Sequence, residues 1–398
     1  MCIRDRFSTY NRKLRLVNLK FKRFIYDKID WDERLICIKG QRGVGKTTLI
    51  LQHIKEAFPQ PEKALYVSLD NLWFATNSLR DLVEYHYTHG GTHIFLDEVH
   101  KYKDWQTAIK NIYDDYPDLS IVYTGSSMLK IDSSLGDLSR RQGSYTLPGL
   151  SFREFLQLEG ILDMPAITLE ELIGTHQALA GDITSRIKIL PAFEQYLRHG
   201  YYPFYREAKS TFDQRLQDVC RQVIESDIPA VEDMSQSTLS KIKRLLMILA
   251  EKVPYQPNMT ELYRELETNR EQGLKMLDAL QRAGLIAMIS YEPQNLRTLS
   301  KPDKILLDNT NLVHSLTGFG DKGTVRETFF SNQMRYVTSL ALDRAGDFRL
   351  DRRHVFEVGG RKKGFNQIKD LPDSYVAADD LEIGFGNKIP LWMFGFLY

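Results

Sequence analysis

The segment Gly40-Gln41-Arg42-Gly43-Val44-Gly45-Lys46-Thr47 carries the most specific chemistry in the chain. It satisfies G-x-x-x-x-G-K-[ST] in full, a pattern whose glycines let the backbone curl until successive N–H groups point inward at a phosphate. The start of the helix that should follow, with Thr48 in its first turn, adds its positive dipole end. Lys46 is placed to reach β- and γ-phosphates, and the Thr47 hydroxyl to bind Mg²⁺. A purely structural glycine turn is the alternative. The segment nevertheless lies between an apolar run and a helical pattern, which is the context the phosphate reading requires.

A second constellation is Ile94-Phe95-Leu96-Asp97-Glu98, an apolar strand that closes on two carboxylates. Ligands of parallel sheets collect at the carboxyl ends of strands, so Asp97 should face the metal held by Thr47. Glu98 could then orient and deprotonate an attacking water, which favours hydrolysis over transfer to a small molecule. The next strand, Ile121-Val122-Tyr123, ends in Thr124-Gly125-Ser126-Ser127. Thr124, or failing that Ser126, is the hydroxyl expected to hold that water or feel the γ-phosphate. Arg141, and less strongly Arg140, could present a guanidinium to the γ-phosphate of a neighbouring subunit. The competing reading of these two is a solvated arginine pair.

These residues need a sheet to position them. Leu35–Ile38, Ala64–Leu69, His93–Leu96 and Ser120–Tyr123 read as buried strands, and a short strand near Ser144–Leu147 would complete five. Thr47–Phe58, Leu79–Tyr87 and Trp105–Tyr113 read as the helices between them. The alternation predicts an α/β core with a parallel sheet, preceded by a basic helical stretch within residues 7–30. Residues 151–235 read as helical, with breaks at Pro165, Gly181 and Pro191. Helices at Ile242–Glu251, Glu261–Glu267 and Arg270–Arg282 follow, then a strand at Leu285–Ile289 and a turn at Glu292–Asn295, suggesting a winged helix. The expected organisation is a core at 7–150, a helical segment at 151–235, a winged helix at 236–298 and a small mixed α/β domain at 299–398.

The chain has 398 residues and a formal net charge of +1, with 42% hydrophobic and 26% charged residues. These values exclude a disordered, collagenous or disulfide-scaffold chain and fit two or three domains. Three cysteines without a C-x-x-C pair fit a reducing compartment, and the apolar runs are too short to span a bilayer. A cytoplasmic protein without a membrane partner is the expectation. Met1–Arg6 reads MCIRDR, which a common transposon adapter encodes in one frame; it is read as an assembly scar, with a genuine start as the alternative.

The strings GQRGVGKTTLILQ, IFLDEVHK, TGSS and DLSRRQGSYTLPGLSFREFL together resemble a large group of bacterial and archaeal AAA-type P-loop ATPases. KILLDNTNLVHSL, GTVRETFFSNQ, FEVGGRKKGFNQI and IPLWMFGFLY are similar to that group's C-terminal domain of unknown function, so the resemblance covers nearly the whole chain from about residue 10. It implies ATP binding and hydrolysis and names no substrate. In the winged helix, Asn269, Arg270, Gln272 and Lys275 are of types that contact DNA, but Glu267, Glu271 and Asp278 sit among them. A packing role is the alternative.

In the last domain, Asp347 and Glu357, with Glu327 upstream and Gln367 beyond, could hold Mg²⁺ as metal-dependent nucleases do. This resembles a restriction-endonuclease-like fold. That fold wants a lysine two residues after the second acid, where this chain has Gly359; Arg361, Lys362 or Lys363 would have to substitute. A degenerate domain is therefore expected. The function expected is Mg²⁺-dependent ATP hydrolysis coupled to movement of the C-terminal domains, with double-stranded DNA and a homo-oligomer as candidate partners. The alternative is a nucleotide-gated switch working through an unidentified protein partner.

Overall fold

The computed structural model describes residues 3–126, 140–207, 209–252, 254, 258–291, 302–318 and 320–398. Ser127 and the turn expected at Glu292–Asn295 lie outside them. The chain forms two compact units, Met1–Pro148 with Glu225–Asp233, and Gly149–Ile224 with Met234–Tyr398. Glu225–Asp233, within the stretch that reads as a helical segment, packs with the first unit.

In the first unit the elements run α1 (Ile3–Leu16), β1 (Leu35–Gly40), α2 (Lys46–Ala57), β2 (Ala64–Ser68), α3 (Leu79–Thr88), β3 (His93–Asp97), α4 (Trp105–Asp115), β4 (Ser120–Ser126) and β5 (Gly143–Thr146). The strands form one parallel sheet in the order β2-β3-β4-β1-β5. Strand side chains alternate between the two faces. Leu35, Cys37, Leu65, Val67, Ile94, Leu96, Ile121 and Tyr123 pack with Leu82 of α3 and Ile109 and Ile112 of α4. On β2, Tyr66 stacks with Tyr10 of α1, their ring centroids 6.3 Å apart. Both faces are therefore covered, which is why β1 to β4 read as continuous apolar runs. β5 at the edge is only half buried.

The second unit begins with α5 (Phe152–Leu158), α6 (Leu169–Arg186), α7 (Ile189–Gln195) and α8 (Phe212–Gln222). Ser151 and Thr168 open α5 and α6 with capping boxes closed by Glu154 and Glu171. Gly181 does not break α6, contrary to expectation. One glycine costs a helix interior only about 1 kcal/mol, too little to stop an 18-residue helix with such a cap. Pro191 falls in the first turn of α7, where its missing N–H has no intrahelical partner to lose.

Three helices, α9 (Gln236–Lys252), α10 (Met259–Glu265) and α11 (Arg270–Arg282), precede an antiparallel pair, β6 (Ile286–Ile289) and β7 (Lys304–Leu307). The expected stripe Leu274, Leu277 and Leu280 is buried. After α12 (Thr310–Thr317) and α13 (Lys322–Met334), a mixed sheet forms from β8 (Leu340–Leu342), β9 (Phe348–Leu350), β10 (His354–Gly359), β11 (Ser374–Ala378) and β12 (Lys388–Pro390). Its order is β12-β11-β10-β9-β8, with β10, β11 and β12 parallel and the rest antiparallel. No helix among the described residues is long and apolar enough to cross a membrane.

The central strands carry the first unit's core. Ile94→Ala, at a fully buried position on β3, is expected to cost about 2–5 kcal/mol, read as a lower urea midpoint of the first unit's unfolding.

Candidate phosphate site

β1 ends at Gly40, and the loop that follows turns directly into α2. Gly43 and Gly45 have φ of 85° and 100°, left-handed values that a side chain would resist. Gly40 is needed for space: a Cβ there would lie 2.4 Å from the Leu147 carbonyl oxygen and 3.1 Å from a Val44 methyl. Arg23, read only as part of a basic N-terminal stretch, braces the loop from within the protein. Its guanidinium donates to Val44 O at 2.7 Å and to Pro148 O at 2.8 Å, and it is buried.

Lys46 is buried and donates to the carbonyls of Gly40 and Gln41 at 2.9 and 3.0 Å. Burial pulls its pKa below the usual lysine range, and the charges of Glu98, Asp97 and Asp227 partly offset this. Thr47 lies on the open side of the loop and donates to Asp97 Oδ2 at 2.6 Å. Thr48 faces outward from α2. The curled loop, a buried ammonium and a hydroxyl–carboxylate pair fit a nucleotide triphosphate and a divalent cation.

Asp97 closes β3, as expected, and its carboxylate accepts two further hydroxyls. Tyr66 of β2 donates to Oδ2 at 2.8 Å, and Thr124 of β4 donates to Oδ1. Burial raises the Tyr66 pKa, and the adjacent Asp97 charge raises it further, so the phenol stays a donor. Thr124 was expected to touch the attacking water or the γ-phosphate. It is fully buried, and its oxygen also accepts the Glu98 N–H at 3.2 Å. The hydroxyl thus holds the two acidic residues in place from behind.

Glu98 has φ 56° and ψ 43°, an uncommon conformation for a residue with a side chain. Strain of that kind persists only where the surroundings hold it, and here the Thr124 bond does so. The Glu98 carboxylate lies 4.0 Å from Lys46 Nζ and 3.4 Å from His100 Nε2.

Asp227, from the returning segment, had no local signal in the sequence, yet it sits beside the loop and is 2% exposed. Arg42 Nη1 donates to both its oxygens at 3.1 and 3.2 Å, and Lys101 Nζ donates to Oδ1 at 2.8 Å. Burial alone would raise its pKa; His100, Lys101 and Arg42 together hold it well below the usual carboxylate range.

Arg141 and Arg140 lie elsewhere. They precede β5, whose first residue, Gly143, pairs with Ile36 near the start of β1, so they occupy the end of the sheet opposite the loop. Arg141 donates to Asp114 at 2.7 Å on the surface. Within this chain neither arginine lies at the loop.

The residues expected to form a metal site in the last domain do come together in the second unit. Lys363 pairs with Glu357 and also donates to Gln367 Oε1 at 3.4 Å, while Lys304 pairs with Glu327. Asp347 accepts the Val358 N–H at 2.7 Å. A Cβ on Gly359 would meet the Lys363 stem at 2.7 Å, so of the three candidate basic residues it is Lys363 that fills the expected lysine's place. Burial raises the pKa values of Glu327 and Glu357, the Asp347 charge adds to both and the Glu357 charge to Glu327, while Lys304 and Lys363 pull the other way. Among the described residues, no group of three or more His, Cys, Asp or Glu side chains is arranged to hold a metal.

Residues 32–156 match the model of an AAA domain. The first unit carries an AAA domain built on a P-loop core. Residues 190–323 match a domain of unknown function (DUF8612), a range that includes the string KILLDNTNLVHSL. An uncharacterized protein of Methanocaldococcus jannaschii is 28% identical over 294 residues, 68% of this chain and 62% of that protein's length. The chain thus spans less than two thirds of this relative.

Among solved structures, AMPPCP-bound DnaA of Aquifex aeolicus is similar at 15% identity, over 67% of this chain and 92% of that one, with a TM-score of 0.29. A Thermotoga maritima RuvB variant is similar at 16% identity, over 71% and 89%, with a TM-score of 0.27. Overlaps this slight carry no argument; the AAA domain rests on its own sheet and loop.

Because the AAA domain's loop leaves no room at Gly40, Gly40→Ala should weaken nucleotide binding by more than about 10-fold, as a displaced backbone loses its N–H contacts. Titration with a fluorescent ADP derivative would show this.

Proposed function

We propose that the protein binds and hydrolyses ATP with Mg²⁺ and uses the nucleotide state to move the domains that follow. The observation that supports this best is the meeting of Thr47, Lys46, Asp97 and Glu98 where β1 and β3 end. In this reading the loop amides from Gly40 through Thr48 and the Lys46 ammonium hold the phosphates, while Thr47 and Asp97 hold the cation. Mg²⁺, when bound, neutralises charge on the β- and γ-oxygens. Glu98 orients and deprotonates the attacking water, and Thr124 holds the Asp97 carboxylate and the Glu98 backbone N–H. Arg141 or Arg140 would act from a neighbouring copy in a homo-oligomer, stabilising the charge that develops on the phosphoryl group.

For the output of that cycle, double-stranded DNA and a protein partner remain the two readings. The surface of α11 favours the protein partner. Asn269 uses its side chain to cap the helix at Gln272 N, at 2.9 Å, and Lys275 pairs with Glu271 at 2.7 Å. Gln272 Oε1 accepts the Thr268 hydroxyl at 3.1 Å, so three of the four residues expected to meet DNA are engaged at or beside α11.

Steady-state hydrolysis with and without double-stranded DNA, beside Glu98→Gln, tests both layers. Loss of a general base should slow turnover by about 10²–10⁴-fold while ADP still binds. Hydrolysis undiminished in Glu98→Gln would sink the assigned mechanism. Stimulation by DNA that is steeply salt-dependent would overturn the preference for a protein partner.

A further inference from the structure

We infer that Asp227 is a positioning residue of the phosphate site: its carboxylate balances Arg42 and Lys101 beside the loop and, with His100, sets where Glu98 points. This rests on the hydrolytic reading of the site. The geometry is that of a shared anion. Asp227 takes Arg42, a residue of the loop itself, and Lys101, which follows β3 and also donates to Ser226 Oγ at 2.7 Å. The His100 imidazole, whose side chain has no exposed surface, stands between Glu98 Oε2 at 3.4 Å and Asp227 Oδ1 at 3.7 Å. Its two ring nitrogens make no hydrogen bond, so its place is determined by the two carboxylates flanking it and by packing.

A carboxylate this deeply buried is unfavourable unless its partners are well placed. Here its partners Arg42, Lys101 and His100 belong to the loop or to the turn after Glu98. Asp227 is also near enough for its charge to act on Lys46. The residue arrives on Glu225–Asp233, whose flanking residues, Ile224 and Met234, both belong to the second unit. Whatever shifts that segment therefore alters the charge beside the loop and the support of Glu98 at once.

Removing this charge has two opposed consequences. Arg42 and Lys101 lose their counter-ion next to a site for a polyanion, which strengthens the hold on phosphates. Glu98 loses the support that reaches it through His100, which slows hydrolysis. A residue that only stabilised the fold would weaken both.

The test measures the Kd of a fluorescent ADP derivative and the rate of ATP hydrolysis in the full chain. Asp227→Asn is expected to bind about 3-fold tighter or more, as one uncompensated charge would at a partly screened site. It should hydrolyse at least about 10-fold more slowly, as a misplaced base would. Lys101→Met should bind more weakly, because Asp227 then faces Arg42 with its full charge. The double variant, with the balance restored, should return to near wild-type affinity.

Weaker ADP binding in Asp227→Asn, or no return in the double variant, overturns the inference. Should Asp227→Asn not fold, Lys101→Met decides alone: unchanged affinity overturns it. The binding arms need no turnover. Hydrolysis that ignores Glu98→Gln would thus discredit the hydrolytic mechanism alone, while the ADP affinities still judge the role of Asp227. An intact protein that binds no nucleotide would remove both.

Discussion

The Asp97 carboxylate accepts hydroxyls from Thr47, Tyr66 and Thr124. These three come from the start of α2, from β2 and from β4, so one buried anion joins the pieces that surround it at the carboxyl end of the sheet. Bonds to an ionised acceptor are stronger than neutral ones, and low dielectric strengthens them further. Glu98 follows directly and depends on the same anchor, because Thr124 both donates to Asp97 and accepts the Glu98 N–H. The loop is held from its other side by Arg23, which ties Val44 to Pro148. The backbone of the loop and the acids beside it are thus braced separately.

Around this anchor lies a layer of compensated charge. Lys46 and Glu98 approach each other, Glu98 and Asp227 flank His100, and Asp227 joins Arg42 to Lys101. Each of these groups would be costly if buried alone, and together they are tolerable. The consequence is coupling: a change at any one of them alters the field felt by the others. The second unit has a comparable but separate arrangement, in which Lys363 and Lys304 neutralise Glu357 and Glu327. There the lysines hold the acids as partners, so the charges pair among themselves.

Much of this was legible in the residues alone. The loop from Gly40 to Thr47, the five strands and the helices between them announce themselves because each depends on local features. These are glycines where the backbone must curl, unbroken apolar runs where a strand is covered on both faces, and a 3.6-residue period where a helix has one buried side. Asp97 and Glu98 could be assigned for the same reason, since the strand they terminate delivers them to the ligand end of a parallel sheet. Gly181 misled because a glycine was read as a stop, whereas its local cost is small beside the cap and packing of an 18-residue helix.

Other features required the folded chain. Nothing near Asp227 in sequence marks it as a partner of Arg42, since 185 positions separate them and only the packing of Glu225–Asp233 into the first unit brings them together. Arg141 and Thr124 were chosen by residue type, and their surroundings then assigned them places: one at the far end of the sheet, the other beneath the acids. Lys363 could be named only as one of three until its stem was seen to lie over Gly359. Short-range pattern records what each segment needs from its own backbone. Which charges meet across the molecule is set by long-range packing, and spacing along the chain does not encode it.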